Sequence, residues 1–194
     1  MSHAALRIIH DEHAALAAML RSIPLLLSQH RRQGTLPDYE VLRAMLFYMD
    51  EFPEKRHHLK ESALLFPKIR ARSDEARQVL DRLDHDHAKG ESAVRELEHA
   101  LLAFEMMGES RREAFETAAQ KYVDFYFEHM TLEEKQVLPL AERVLTAQDW
   151  AELDAAFAAN RDPLTGHEPE DEYRALFSRI VNALPAPLGL GSAR

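Results

Sequence analysis

The residues best equipped for chemistry are imidazoles and carboxylates set one helical turn apart. HHLKESALLFP, residues 57–67, places His57 and His58 ahead of Glu61, and HMTLEEKQVLP, residues 129–139, repeats the phrase with His129 and Glu133. Registered on Pro67 and Pro139, His57 and His129 each lie ten residues before the proline, and Glu61 and Glu133 each lie six before it. HDEHAALAAML and LDHDHAKGESAV form a second match, pairing His13 with His87 at 44 and 42 residues ahead of His57 and His129. The first half of this stretch therefore reads as a copy of the second. Two copies side by side would bring their equivalent faces together.

Residues four apart on a helix differ by roughly 40° in direction and about 6 Å in height, so His57 and Glu61 share a face. One His-x-x-x-Glu from each of two facing helices supplies two nitrogen donors and two carboxylates able to bridge a pair of metal ions. His13 and His87 add a nitrogen from each remaining helix. Four imidazoles and two carboxylates are too few for two six-coordinate ions, which leaves positions for water, oxide or a small ligand. These donors suit iron, manganese or zinc better than calcium or copper(I). With no cysteine, thiolate nucleophiles and thiolate-bound zinc or iron–sulfur sites are excluded. Leu16, Leu20, Leu64, Leu65, Val94, Tyr122, Phe125 and Val137 recur around these residues and predict an apolar shell. Six such polar groups in a dry core without a metal would cost several kcal/mol.

Four long stretches carry apolar residues at three- and four-residue steps: about 4–33, 39–72, 74–107 and 111–145. Gly34, Ser73 and the Gly108-Glu109-Ser110 run separate them, and Asp38 is a candidate N-cap. No window alternates with period two. Short links between long helices predict an all-α, up-down-up-down four-helix bundle over residues 1–145. Residues 146–194 read as a short helical C-terminal appendage: a helix capped near Thr146, a loop, a last helix and a Pro- and Gly-rich tail. Pro24, Pro53, Pro67 and Pro139 are expected to kink or end the helices that hold them.

The net charge of −9 argues against nucleic acid as a partner, and there is no basic stripe. No apolar run reaches membrane-spanning length and the N-terminus lacks a signal-peptide core, so the expectation is a soluble, cytoplasmic protein. Six glycines, mostly in turns, make a dinucleotide fold a poor fit. A ferritin-like site would use Glu-x-x-His on two helices. Such triplets occur at Glu54 to His57 and Glu96 to His99, but on consecutive helices rather than on the second member of each hairpin. Glu134, about 100° around the helix from Glu133, is assigned to the solvated flank. His10 and His85 sit off the inferred face, and Tyr48, Tyr122 and Tyr126 are read mainly as packing.

The lone histidines His13 and His87 together with HHLKESALLFP and HMTLEEKQVLP make the chain resemble the hemerythrin-like, or HHE cation-binding, family over roughly residues 5–145. That resemblance implies a four-helix bundle with a non-haem di-iron centre, its two iron ions oxo- or hydroxo-bridged, with manganese or zinc as alternatives. It places the metal ligands on His13, His57, Glu61, His87, His129 and Glu133, with Glu61 and Glu133 bridging. Oxygen-carrying members have a further histidine where this chain has Glu91, and some members use the residue that is His58 here. His58 and Glu91 are therefore additional ligand candidates. The implied function is binding, sensing or reacting with a small oxidant, dioxygen, nitric oxide or peroxide, as a di-iron oxidoreductase if it turns over. A non-catalytic metal-binding, regulatory or iron-handling module is the alternative. A protein electron donor and a homo-oligomer are the partners such a function would call for.

Overall fold

A computed structural model describes residues 3–183, and among these there is no strand. Helix α1 is Ala4–Gln33, ending at Gly34 in the left-handed region with φ 65°. Helix α2 covers residues 39–70 and opens at Asp38, whose side chain accepts from the backbone of Glu40 and Val41. Helix α3 is Arg77–Met107. Helix α4 covers residues 112–144. The start of α3 falls three residues later than the periodicity suggests, because Ser73 and Asp74 fold a turn that bonds the backbone of Glu75 and Arg77. Helix α5, Ala147–Ala158, begins at a reciprocal Thr146/Asp149 cap, and α6 is Arg174–Ala183. The tail after residue 183 lies outside the described residues.

The helix directions follow from which ends share a core. One apolar cluster takes Ala5, Leu6 and Ile9 from the start of α1, Leu65, Phe66 and Ile69 from the end of α2, Leu80 and Leu83 from the start of α3, and Val137, Leu138 and Leu140 from the end of α4. The other takes the opposite ends, from Leu16–Leu27, 41–52, 94–104 and 115–130. Alternating ends in each cluster require the expected up-down-up-down bundle. Between the two clusters lies a polar layer containing His13, His57, His58, Glu61, His87, His129 and Glu133. The segment after residue 145 covers both cores: Trp150, Leu153 and Phe157 of α5 join one, and Phe177 and Ile180 of α6 the other.

The prolines do not end the helices. α1 runs through Pro24, and α2 and α4 pass their prolines by switching to π-helical turns. Asp50–His58 contains Pro53, while Glu61–Leu65 and Glu133–Val137 stand just ahead of Pro67 and Pro139. In the last two, the N–H before the proline bonds five residues back, Phe66 to Glu61 and Leu138 to Glu133. The wider turn lets the chain absorb a residue that cannot donate, and it fixes the backbone at both repeated glutamates. It also moves Leu64 outward, to 36 % exposure, while Leu65 is buried, so Leu64 is not part of the apolar shell. Phe125 is only half-buried; Leu16, Leu20, Val94, Tyr122 and Val137 are buried as expected.

Gly90 sits inside α3 because the hydroxyl of Tyr126 and the carboxylate of Glu54 occupy the place a Cβ would need. Alanine would gain about 1 kcal/mol of helix propensity. It would also crowd two buried, mutually bonded polar groups, and overpacking of that kind costs about 1–3 kcal/mol. Gly90→Ala is expected to lower stability in urea denaturation, and Gly90→Ala combined with Tyr126→Phe to recover most of the loss; a stabilised single variant would refute this account of the glycine.

Candidate metal centre

The polar layer is built from matching positions of the two hairpins. His57 Nε2 lies 2.8 Å from Glu61 Oε1 and 3.2 Å from His13 Nε2, and His13 Nε2 lies 3.4 Å from Glu133 Oε2. On the other side His87 Nε2 lies 3.2 Å from His129 Nε2 and 3.4 Å from Glu61 Oε2, with His129 Nε2 3.9 Å from Glu133 Oε2. Two donor sets result, each with its atoms within 4.8 Å of one another: His13, His57, Glu61 and Glu133, and His58, Glu61, His87 and His129. Glu61 belongs to both. All seven sequence-nominated residues other than Glu91 thus converge on one place. Glu91 does not: its side chain is about half exposed and pairs with Arg95 one turn along. His58 supplies the third imidazole of its set instead.

Every imidazole in the layer has its other ring nitrogen turned toward an acceptor. Nδ1 of His13 meets Glu134 at 3.0 Å, His57 meets Glu12 at 2.6 Å, His58 meets Glu54 at 3.1 Å and His87 meets Ser62 at 2.8 Å. Nδ1 of His129 faces Asp86 at 3.8 Å, beyond hydrogen-bond range. Ionised Glu12 and Glu134 can only accept, and the Ser62 hydroxyl, already donating to Asp84, accepts from His87, so Nδ1 of His13, His57 and His87 carries a proton and Nε2 is the nitrogen available to a cation. Glu134 lies on the solvated flank as expected, its side chain 40 % exposed, and from there it also orients His13. Tyr126 and Tyr122 also do more than pack, since both donate to Glu54, Tyr122 at 3.5 Å. Glu12 and Asp86 escaped the sequence reading although each immediately precedes a lone histidine, and that shared acid-His dipeptide was the available signal.

Burial and charge set the protonation of the layer. Burial and the neighbouring Glu133 charge push the Glu61 carboxyl up to about 8. Burial would also raise Glu133, but the hydrogen bond and charge of His13 outweigh it and hold Glu133 well below the usual carboxylate range. For His13, burial opposes the charge, yet Glu133 and Glu134 push it up to about 9. His57 is likewise raised, with Glu61 and Glu12 overcoming burial. His58 is pushed well down, and His87 down to about 3, by burial and by the imidazoles around them. The four oxygens of Glu61 and Glu133 are buried without a well-aligned hydrogen bond, with His57 at 2.8 Å and His13 at 3.4 Å, and Nδ1 of His129 is buried without a partner. Two fully buried carboxylates among imidazoles, of which His13 and His57 are held protonated and His58 and His87 are not, form a layer in which cations could replace those protons.

The model for the hemerythrin HHE cation binding domain matches residues 4–141. The chain belongs to the hemerythrin HHE family. No curated protein and no solved structure matches it. The donor chemistry fits the cation binding that defines this HHE domain: nitrogen and carboxylate only, with fewer donors than two six-coordinate ions take. Protons compete with cations for these groups. Below about pH 9 His13 holds a proton a cation must displace, and below about pH 8 so does Glu61. Loading the metal-free HHE protein at about pH 7 should release protons into a weakly buffered solution, and isothermal titration should show affinity rising with pH toward about 9. Affinity that is flat from about pH 6 to 9 would rule out these two groups as ligands.

Proposed function

We propose that this HHE protein holds two iron ions, one on His13 and His57, the other on His58, His87 and His129, with Glu61 and Glu133 between them. The proposed role is to bind, sense or react with a small oxidant: dioxygen, nitric oxide or peroxide. The observation that carries the reading is the pair of donor sets sharing Glu61. Five imidazoles and two carboxylates without a thiolate accept iron, manganese or zinc alike, and iron is the member of that set the family resemblance implies. Bound there, iron would supply the one-electron chemistry that no side chain in the layer offers.

The chain's own residues supply the rest. The Nδ1 partners fix each ring, and the two apolar clusters keep bulk water from the layer above and below. Access is lateral: a pocket of about 340 Å³ between α2 and α3, lined by Glu54, His58, Ser62, His87 and Glu91, opens onto two of the imidazoles. The outward turn of Glu91 is what leaves this side open. On the other side, the space beside His13 and His57 holds about one water. A small ligand would therefore reach the His58/His87/His129 half. A metal-holding regulatory module is the second reading, favoured by the contact of Asn160, in the segment after α5, with Glu12 at 2.9 Å.

The protein loaded anaerobically with ferrous iron is expected to take up two equivalents and, on exposure to air, to develop a near-ultraviolet charge-transfer band. Glu61→Ala should lose both ions, because Glu61 serves both sets, whereas Glu133→Ala should weaken the His13/His57 ion more than the other. Two iron equivalents with no spectral change under any of the three oxidants would favour the regulatory reading. No metal uptake at all would defeat both.

A further inference from the structure

The short segment after α5 carries two polar side chains into the interior, beyond the HHE match that ends at residue 141. Asn160 and Asp162 are 2 % and 4 % exposed. Between them Arg161 adopts φ 47°, a left-handed conformation that a non-glycine residue keeps only when its surroundings enforce it. What enforces it is visible on both sides. Asp162 accepts from the Tyr48 hydroxyl at 2.7 Å, and its other oxygen accepts from the backbone of Leu164 at 2.8 Å. The Asn160 amide spans Lys60 and Glu12, accepting from Lys60 Nζ and donating to Glu12 Oε2 at 2.9 Å. Lysine has no acceptor, so the amide has one orientation: carbonyl toward Lys60, NH2 toward Glu12.

The same oxygen of Glu12 receives His57 Nδ1 at 2.6 Å. Two donors on one carboxylate oxygen leave it little freedom to turn, and the His57 ring, with Phe157 edge-on at 5.9 Å, is held with Nε2 toward Glu61. In the other half Glu54 and Ser62 are held by Tyr126 and Asp84, but the carboxylate behind His129 has no such brace. Asp86, the counterpart of Glu12, faces Arg82 of its own helix at 3.7 Å and stands 3.8 Å from His129.

We infer that Asn160 is a positioning residue for the cation held by His13 and His57, acting through Glu12 on His57 and on that half alone. The inference rests on the metal-centre reading above. It makes the segment after α5 a working part of the centre through this one side chain. By linkage, a cation in that half holds the segment down as firmly as the segment helps to hold the cation.

The test is titration of the metal-free protein with cobalt(II), followed by its visible spectrum, with hydrogen exchange of residues 158–166 measured before and after loading. Asn160→Ala is expected to weaken one of the two binding steps by about ten- to hundredfold and spare the other. Ser62→Ala, which frees Nδ1 of His87, should weaken the step that Asn160→Ala spares. Asp162→Asn, which loosens the segment without touching Glu12, should leave both steps within about twofold. Loading should slow exchange in the segment of the wild type and not of Asn160→Ala. If Asn160→Ala fails to fold, Asn160→Asp, which keeps the oxygen that accepts from Lys60 and removes the NH2 that donates to Glu12, must give the same selective loss. Unchanged binding in Asn160→Ala, or an equal loss in Asp162→Asn, overturns the inference while leaving the centre intact. A wild type that binds no cobalt overturns the centre itself.

Discussion

The architecture turns on two carboxylates shut away from water. Glu61 and Glu133 are completely buried, all four of their oxygens lack a well-aligned hydrogen bond, and apolar clusters close the bundle on either side of them. An ionised carboxylate in such a place costs several kcal/mol unless something positive sits against it. Imidazolium could serve, and His13 is raised far enough to do so for Glu133. His57, raised likewise and 2.8 Å from Glu61, can do so for Glu61, while burial and the surrounding imidazoles push His58 and His87 the other way and leave their half without positive charge. Cations bound in the layer would replace protons at several donors together.

How the chain brings this about is a matter of symmetry. Glu12 matches Asp86, His13 matches His87, His57 matches His129 and Glu61 matches Glu133. The match extends to the residue after each glutamate: Ser62 bonds Nδ1 of His87, and Glu134 bonds Nδ1 of His13. The π-helical turns at Glu61–Leu65 and Glu133–Val137 repeat in the same register. Each hairpin therefore lends the glutamate at its π-helical turn to the other hairpin's histidine, Glu61 to His87 and Glu133 to His13. Neither half could build the centre alone, which couples the closing of the bundle to the geometry of its donors.

Much of this was legible in the sequence, and the reasons are specific. The boundaries of α1, the bundle topology and the convergence of His13, His57, Glu61, His87, His129 and Glu133 follow from a 3.6-residue period and a repeat registered on proline, both of which are local signals. What the sequence concealed depends on contacts between distant segments or on departures from regular helix. The prolines looked like terminators because a one-dimensional reading has no π turn to offer, and the same turn carried Leu64 out of the core. Glu134 is solvated as its position 100° around the helix implies, but α1 passes close enough for it to reach His13, and no local pattern announces that contact. Asn160 carries no local signal; it lies 148 residues from Glu12 in the chain.

The breaks in the symmetry say more about chemistry than the symmetry does. His58 has Met130 as its counterpart, so one half has three imidazoles and the other two. Ser62 faces Glu134, so the two-imidazole half has carboxylates behind both rings, while the three-imidazole half has a hydroxyl behind His87 and, behind His58, a Glu54 that burial pushes up to about 8. A carboxylate at Nδ1 makes the opposite nitrogen a stronger donor, and a hydroxyl does so less. The half with fewer nitrogens thus has the more electron-rich ones. It is also the half with the narrower space beside it, room for about one water, and braced by Asn160, while the other lies open to the pocket beside Glu91. On the proposed two-ion reading, such a division would give holding to one side and exchange to the other, and it comes from His58 together with residues behind the donor rings.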